Sequence, residues 1–248
     1  MTVYIGNAVG DENNKAKGGE PGNQTGMELK IQPWYLNKKG WRVFRAKDAE
    51  TANRLAADMR MACRNPNIGY DQHDRNTLYS VSAPLDFDCG EVIEPCECDC
   101  SSLVRVCLAY AGIKVRDFNT VSEPARLMAT KDFIELTDSK YTKSSEYLCI
   151  GDILCTVTKG HTAIVLNDGP KADRDPEPVP PKPLGEVEVI GRSVNVRTSD
   201  STKGRILFTA HRGDKFQFIQ IAPSGWYQIG TKKGTGFITN LPKYTKLI

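Results

Sequence analysis

The chain has 248 residues, 33 Lys+Arg against 30 Asp+Glu for a formal charge of +3, and 40% hydrophobic with 25% charged residues. That composition suits a folded protein with one sizeable core and room for a second small one. No run of about 18 apolar residues occurs, so no membrane insertion is expected, and eight cysteines are too few for a disulfide scaffold of this length.

In chain order, the opening M-T-V-Y-I-G-N-A-V-G lacks a basic region followed by an apolar one, so no signal peptide is visible. Synthesis in the cytoplasm is the expectation. The Gly-rich segment G-G-E-P-G-N-Q-T-G has no Lys-Ser/Thr ending and runs into a strand, which argues against a phosphate loop. T-G-M-E-L-K-I-Q-P-W-Y and W-R-V-F-R read as two strands of a hairpin, with Trp34, Tyr35 and Trp41 assigned to the core.

Residues 48–63 place Leu55, Ala56, Met59 and Ala62 at helical spacing behind an Asp48 N-cap. A second helix begins near Cys100, where Leu103, Val104, Cys107, Leu108 and Ala111 share a face and Gly112 fits the C-terminal cap. Ser122 followed by Glu123-Pro124 starts a third. I-G-D-I-L-C-T-V-T and H-T-A-I-V-L, joined by a Lys159-Gly160 turn, predict a strand hairpin. Helices first and strands after is an α+β order.

Residues 168–185 hold six of the fourteen prolines and almost nothing apolar, the composition of an extended spacer. Beyond it, V-E-V-I, V-N-V-R-T, K-F-Q-F-I-Q-I, W-Y-Q-I and G-F-I-T alternate as the strands of a small barrel or sandwich. From Glu186 onward ten Lys+Arg face four Asp+Glu, so this basic part suits an anionic surface as partner. No recognition helix or base-stacking motif accompanies the charge, so no nucleic acid is expected.

Cys100 and His161 are the residues that carry chemistry. Cys100 sits at the expected start of the second helix, where backbone N–H groups and the helix dipole favour a thiolate and can cradle an oxyanion. His161 opens a strand after a tight turn and suits a general base. From the residues alone, a buried structural Cys and a turn His are the default reading. C-E-C-D-C lacks the C-x₂₋₄-C spacing of zinc sites, so no metal is expected. Cys96 and Cys98 either pair with Cys89 or Cys63 or are small buried residues.

D-C-S-S-L-V-R-V-C-L-A-Y-A-G resembles the "DCSGLV" nucleophile helix of the NlpC family of papain-like peptidoglycan peptidases. G-D-I-L-C-T-V-T-K-G-H-T-A-I-V-L resembles that family's "GDLVFF…HVGIYL" hairpin, in the same order. Ser102 stands where the family has Gly. The resemblance implies Cys100 as nucleophile and His161 as base. It also implies that Asp99 and Tyr70, with Ser101 beside the nucleophile, bind the amine end of the stem peptide.

G-G-E-P-G-N-Q-T-G-M-E-L resembles the N-terminal signature of phage-type NlpC-like lysins. A third catalytic residue is not evident. Asn167, six residues beyond His161 on one strand, lies about 20 Å away at the strand rise, so Glu28 or Gln24 is the expectation. V-N-V-R-T-S, H-R-G-D-K-F-Q-F-I, G-W-Y-Q-I and G-T-G-F-I resemble, in order, the bacterial SH3-like (SH3b) family.

The expectation is a cofactor-free, monomeric lysin: an NlpC-type domain at 1–167, a linker at 168–185 and an SH3-like wall-binding domain at 186–248. Its substrate is peptidoglycan stem peptide, cut at the γ-D-glutamyl–diamino acid bond, with an anionic wall polymer as a further partner. It acts on the bacterial wall, in phage release or as a tail component. The alternatives are an N-acetylmuramoyl-L-alanine amidase and a noncatalytic wall-binding or tail protein.

Overall fold

The computed structural model describes residues 2–174, 185–222, 224–231 and 234–248. The chain divides into two compact units, residues 1–179 and 180–248. In the first, strands β1 (Tyr4–Ala8), β2 (Leu29–Pro33) and β3 (Trp41–Ala46) precede helix α1 (Ala49–Ala62). Then come β4 (Ile68–Tyr70), α2 (Thr77–Ser82), β5 (Cys96–Cys98), α3 (Cys100–Tyr110) and α4 (Glu123–Thr130). β6 (Phe133–Leu136), α5 (Ser139–Thr142), β7 (Ile153–Thr156) and β8 (Thr162–Val165) complete it.

Six strands form one antiparallel sheet in the order β2-β1-β8-β7-β3-β6. Both faces are covered. Ile153, Cys155 and Ile164 join α1 and α3 in one core, while the alternating Leu154, Ala163 and Val165 join Trp41, Val43 and Tyr141 in the other. Burial on both sides explains why I-L-C and A-I-V-L are continuous apolar runs.

α1 and α3 form as their sequences predict. Asp48 accepts the Thr51 N–H at 2.7 Å, and Leu55, Ala56, Met59 and Ala62 are all fully buried. At the end of α3, Gly112 adopts φ +88°, which a residue with a Cβ rarely does, and the chain turns away. The β7–β8 hairpin is present as expected.

The expected hairpin of residues 25–35 with 41–45 does not form. β2 pairs with β1, and β3 pairs with β7 and β6, so the two strands share a sheet without touching. Three longer-range partners displaced the local one. The spacer also begins later than composition suggests. Gly169 and Lys171 donate their N–H groups to the Leu148 and Glu146 carbonyls, both at 2.8 Å, tying residues 168–174 to the first unit. Residues 175–184, the rest of that spacer, lie outside the described residues.

The second unit is all β: β9 (Glu186–Val189), β10 (Ser193–Arg197), β11 (Ile206–His211), β12 (Lys215–Ile221), β13 (Tyr227–Thr231), β14 (Gly234–Ile238) and β15 (Thr245–Leu247). They make one sheet in the order β11-β10-β14-β13-β12-β9-β15 around Val187, Val189, Val196, Phe218, Ile229 and Ile238. β11 and β15 were not expected from the residue pattern, because each has a single fully buried residue.

The first unit also buries an ion pair. Arg45 on β3 donates Nε and a terminal nitrogen to Asp152, at 2.8 and 2.7 Å, with both side chains 1% exposed. The guanidinium also reaches the Tyr147 and Asp173 carbonyls. Removing one partner strands a buried charge, so Asp152→Ala should lower stability by about 3–5 kcal/mol, read as the urea midpoint of the first unit's unfolding.

Candidate active site

Asp99 is the N-cap of α3. Its carboxylate accepts the Ser102 N–H at 2.7 Å while the Ser102 hydroxyl accepts the Asp99 N–H, a reciprocal cap that sets where the helix begins. Cys100 is therefore the first helical residue, in an 11-residue helix that packs against β8 and β1. Its Sγ lies against the backbone N–H groups of Thr162 and Ser101, which places it beside the residue that follows His161.

His161 is held from its backbone. Its N–H donates to Thr156 Oγ1 at 2.9 Å and its carbonyl accepts the Thr156 N–H at 2.9 Å. On the other side of the ring, Nε2 lies 2.8 Å from Asn7 Oδ1. The Asn7 amide nitrogen donates to the Lys30 carbonyl at 3.1 Å, so the amide oxygen is the atom left for the imidazole. An oxygen can only accept, which puts the proton on Nε2 and leaves Nδ1 as the basic nitrogen. Trp41 packs at 6.4 Å between ring centroids, and Tyr35 meets Trp41 edge-on at 5.7 Å. The Tyr35 phenol is close enough to Cys100 to feel its charge. Two of the aromatics assigned to the core thus border the site.

Asn7 is the residue the sequence reading missed. It reaches His161 because β1 runs antiparallel beside β8, Ile5 opposite Val165 and Gly6 opposite Ile164, which brings Asn7 abreast of the start of β8. Gly6 permits the approach to α1, since a Cβ there would meet Met59 Cγ at 2.4 Å. A polar residue inside the short apolar run Y-I-G-N-A was the available signal.

Glu28 and Gln24 do not contact His161. Glu28 is buried, its Oε1 accepting the Gln24 N–H at 2.9 Å and its Oε2 the Tyr70 N–H at 3.0 Å, while the Gln24 side chain donates to the Pro21 carbonyl. Glu28 thus joins the Gly-rich loop to β4. The two segments touch so closely that a Cβ on Gly69 would overlap the Gly22 carbonyl. Asn167 accepts the Tyr4 N–H at 2.8 Å, at the far end of β8 from His161.

Tyr70 is buried on β4, which pairs in parallel with β5 so that Tyr70 lies opposite Cys98, two residues before Cys100. Its hydroxyl accepts from Gln72 at 3.0 Å, and burial pushes its phenol well up. Asp99 and Ser101 are committed to a second unpredicted residue. Arg75 donates to both Asp99 oxygens at 2.7 and 3.2 Å, to Ser101 Oγ at 3.0 Å, to the Phe118 carbonyl at 2.7 Å and to both Asp117 oxygens at 2.8 Å. All eight cysteines are free thiols, so the alternative of pairs among Cys63, Cys89, Cys96 and Cys98 falls away.

A helix N-terminus by itself favours a thiolate at Cys100, and burial reverses that preference. Desolvation, with the Asp99 and Glu123 charges added, pushes the thiol up to about 12 against the smaller pull of the Thr162 and Ser101 N–H groups. Burial drives His161 down to about 4, against the Asp99 charge. At neutral pH the resting site therefore holds a neutral thiol and a neutral imidazole.

Residues 5–172 match the endolysin-like domain family, and the chain belongs to it. Residues 192–241 match the bacterial SH3 domain family, within the all-β unit. Together they define a lysin-type enzyme directed at the peptidoglycan of the bacterial cell wall, with a wall-binding module. Among the described residues no helix is long and apolar enough to cross a membrane. Searches of curated proteins and of solved structures find no match.

The His161 assignment is open to direct measurement. An NMR titration of its imidazole should show a midpoint near 4 and an Nε2–H tautomer above it. A midpoint at the ordinary value of about 6.5 would mean that solvent reaches the ring.

Proposed function

We propose that the chain is a cysteine peptidase with a papain-like arrangement of Cys100, His161 and Asn7, hydrolysing an amide of the peptidoglycan stem peptide. The observation that carries this reading is the His161 Nε2 to Asn7 Oδ1 hydrogen bond at 2.8 Å, with the backbone N–H of the following residue, Thr162, against Cys100 at a helix N-terminus. It leaves the ring nitrogen that a base needs unprotonated, and it orients a base beside a nucleophile.

In this mechanism, Cys100 Sγ attacks the carbonyl carbon as its proton passes to His161 Nδ1. The proton moves with the attack because both groups are neutral at rest. The oxyanion is received by backbone N–H groups at the start of α3, and Asn7 Oδ1 stabilises the imidazolium through Nε2–H. His161 then gives its proton to the departing amine, leaving a thioester on Cys100. Water, deprotonated by the same nitrogen, attacks the thioester and regenerates the thiol. The SH3-like unit holds the enzyme on the wall, where its basic residues suit an anionic wall polymer.

The bond we favour is γ-D-glutamyl to the diamino acid, with Asp99, Ser101 and Tyr70 on the amine side of the substrate. The Arg75 fork on Asp99 supports a second reading. A carboxylate already paired in this way is not waiting for a free amine, which suits stems still joined to glycan and an N-acetylmuramoyl-L-alanine amidase. The products separate the two: an endopeptidase exposes amines on the diamino acid, whereas an amidase exposes the L-Ala amine of stems freed from glycan.

Mass spectrometry of purified peptidoglycan should show new muropeptides with the wild type and none with Cys100→Ala. Products surviving in Cys100→Ala would remove the thiol mechanism. Loss of the ring's orientation in Asn7→Ala should cost about 100-fold in kcat, the order expected when a catalytic group is misplaced by about 1 Å. An unchanged rate would show that Asn7 is a bystander.

A further inference from the structure

Beneath Cys100 lies a carboxyl that the mechanism does not use. Glu123 is the first residue of α4 and has no solvent exposure. Its Oε1 accepts the Thr162 hydroxyl at 2.7 Å, and the Cys155 thiol, a weak donor, lies against the carboxyl. Thr162 is the residue whose backbone N–H faces Cys100 Sγ, and it follows His161 directly.

The turn before α4 grips the same hairpin. Thr120 Oγ1 accepts the Gly160 N–H at 3.1 Å, and the Thr120 carbonyl accepts the Cys155 thiol at 3.4 Å. The titratable groups facing the Glu123 carboxyl are the Cys155 thiol of β7, Cys100 of α3 and Asp99 at the α3 cap. No cation is among them. A carboxylate buried without a cation, with one hydroxyl and a weak thiol as its donors, is costly, whereas the uncharged acid is tolerated.

We propose that Glu123 is a positioning residue that serves in its uncharged form. Its carboxyl anchors Thr162, and with it the N–H against Cys100, and loss of its proton opposes formation of the Cys100 thiolate. The inference rests on the reading of Cys100 as the nucleophile. Burial pushes the Glu123 carboxyl up to about 8, with Thr162 and Cys155 pulling it back and the Asp99 charge adding to the rise. The acid form therefore prevails at neutral pH and is lost as pH rises through that value, and Cys100 in turn feels the Glu123 charge. The enzyme would carry its own alkaline limit.

The test is Glu123→Gln in the full chain, which keeps an acceptor for Thr162 and removes the ionisation. Two readouts are followed against pH: alkylation of Cys100 by iodoacetamide, assigned by peptide mass spectrometry, and solubilisation of purified walls. At about pH 9, Cys100 in Glu123→Gln should alkylate about tenfold faster than in the wild type, the equivalent of one pKa unit. The alkaline fall in wall solubilisation should be lost as well.

Superimposable alkylation profiles would overturn the proposal. A shifted alkylation profile in a protein that solubilises no wall at any pH would leave Glu123 its role and remove the peptidase reading instead. If Glu123→Gln fails to fold, infrared titration of the wild type decides. A protonated carboxyl band that disappears around pH 8 supports the proposal, and no such band overturns it.

Discussion

The sheet edge at β8 governs the rest of the first unit. After Val165 the chain leaves the sheet, and Asn167 turns to cap the start of β1 instead of leading into a neighbouring strand. An unpaired β8 edge inside the core would leave N–H and carbonyl groups without partners. Residues 4–8 fill that place, and because they run antiparallel the Asn7 amide arrives at the His161 ring. One pairing thus satisfies the backbone and fixes the tautomer of the imidazole.

Water exclusion then decides the charge state of the site. A helix N-terminus contributes on the order of 1 kcal/mol toward an anion, whereas full burial of an ionisable group moves its pKa by several units. At Cys100 burial wins, and His161 shifts in the opposite direction for the same reason. The two shifts together favour a neutral thiol and imidazole at rest over a preformed ion pair.

Support for the segment around Cys100 comes from charges spent on structure. Arg75 gathers Asp99, Ser101, Asp117 and the Phe118 carbonyl, joining the start of α3 to the segment before α4. Glu28 does the same between the Gly-rich loop and the Tyr70 strand. Each pair is distant in sequence, and each ties a loop to an element beyond its own chain neighbours.

Local chemistry made much of this legible in the sequence. The Asp99 cap and the apolar face behind it mark the start of α3, the Gly160 turn marks the β7–β8 hairpin, and the proline cluster marks a break between two bodies, because each depends on neighbours within a few residues. The elements place Cys100 at a helix start and His161 at a strand start, and the family resemblance is what singles the two out. The partner of His161 was not legible, since β1 and β8 are separated by more than 150 residues and either T-G-M-E-L-K-I-Q-P or Y-I-G-N-A could supply a strand. Nor were the neutral state of the pair, the Arg75 fork or the Glu123 carboxyl beneath Thr162, which arise from burial and long-range packing. Sequence determined where the main helices and the β7–β8 hairpin form and that Cys100 begins a helix; tertiary structure decided which strand closes the sheet, and hence which residue meets the His161 imidazole.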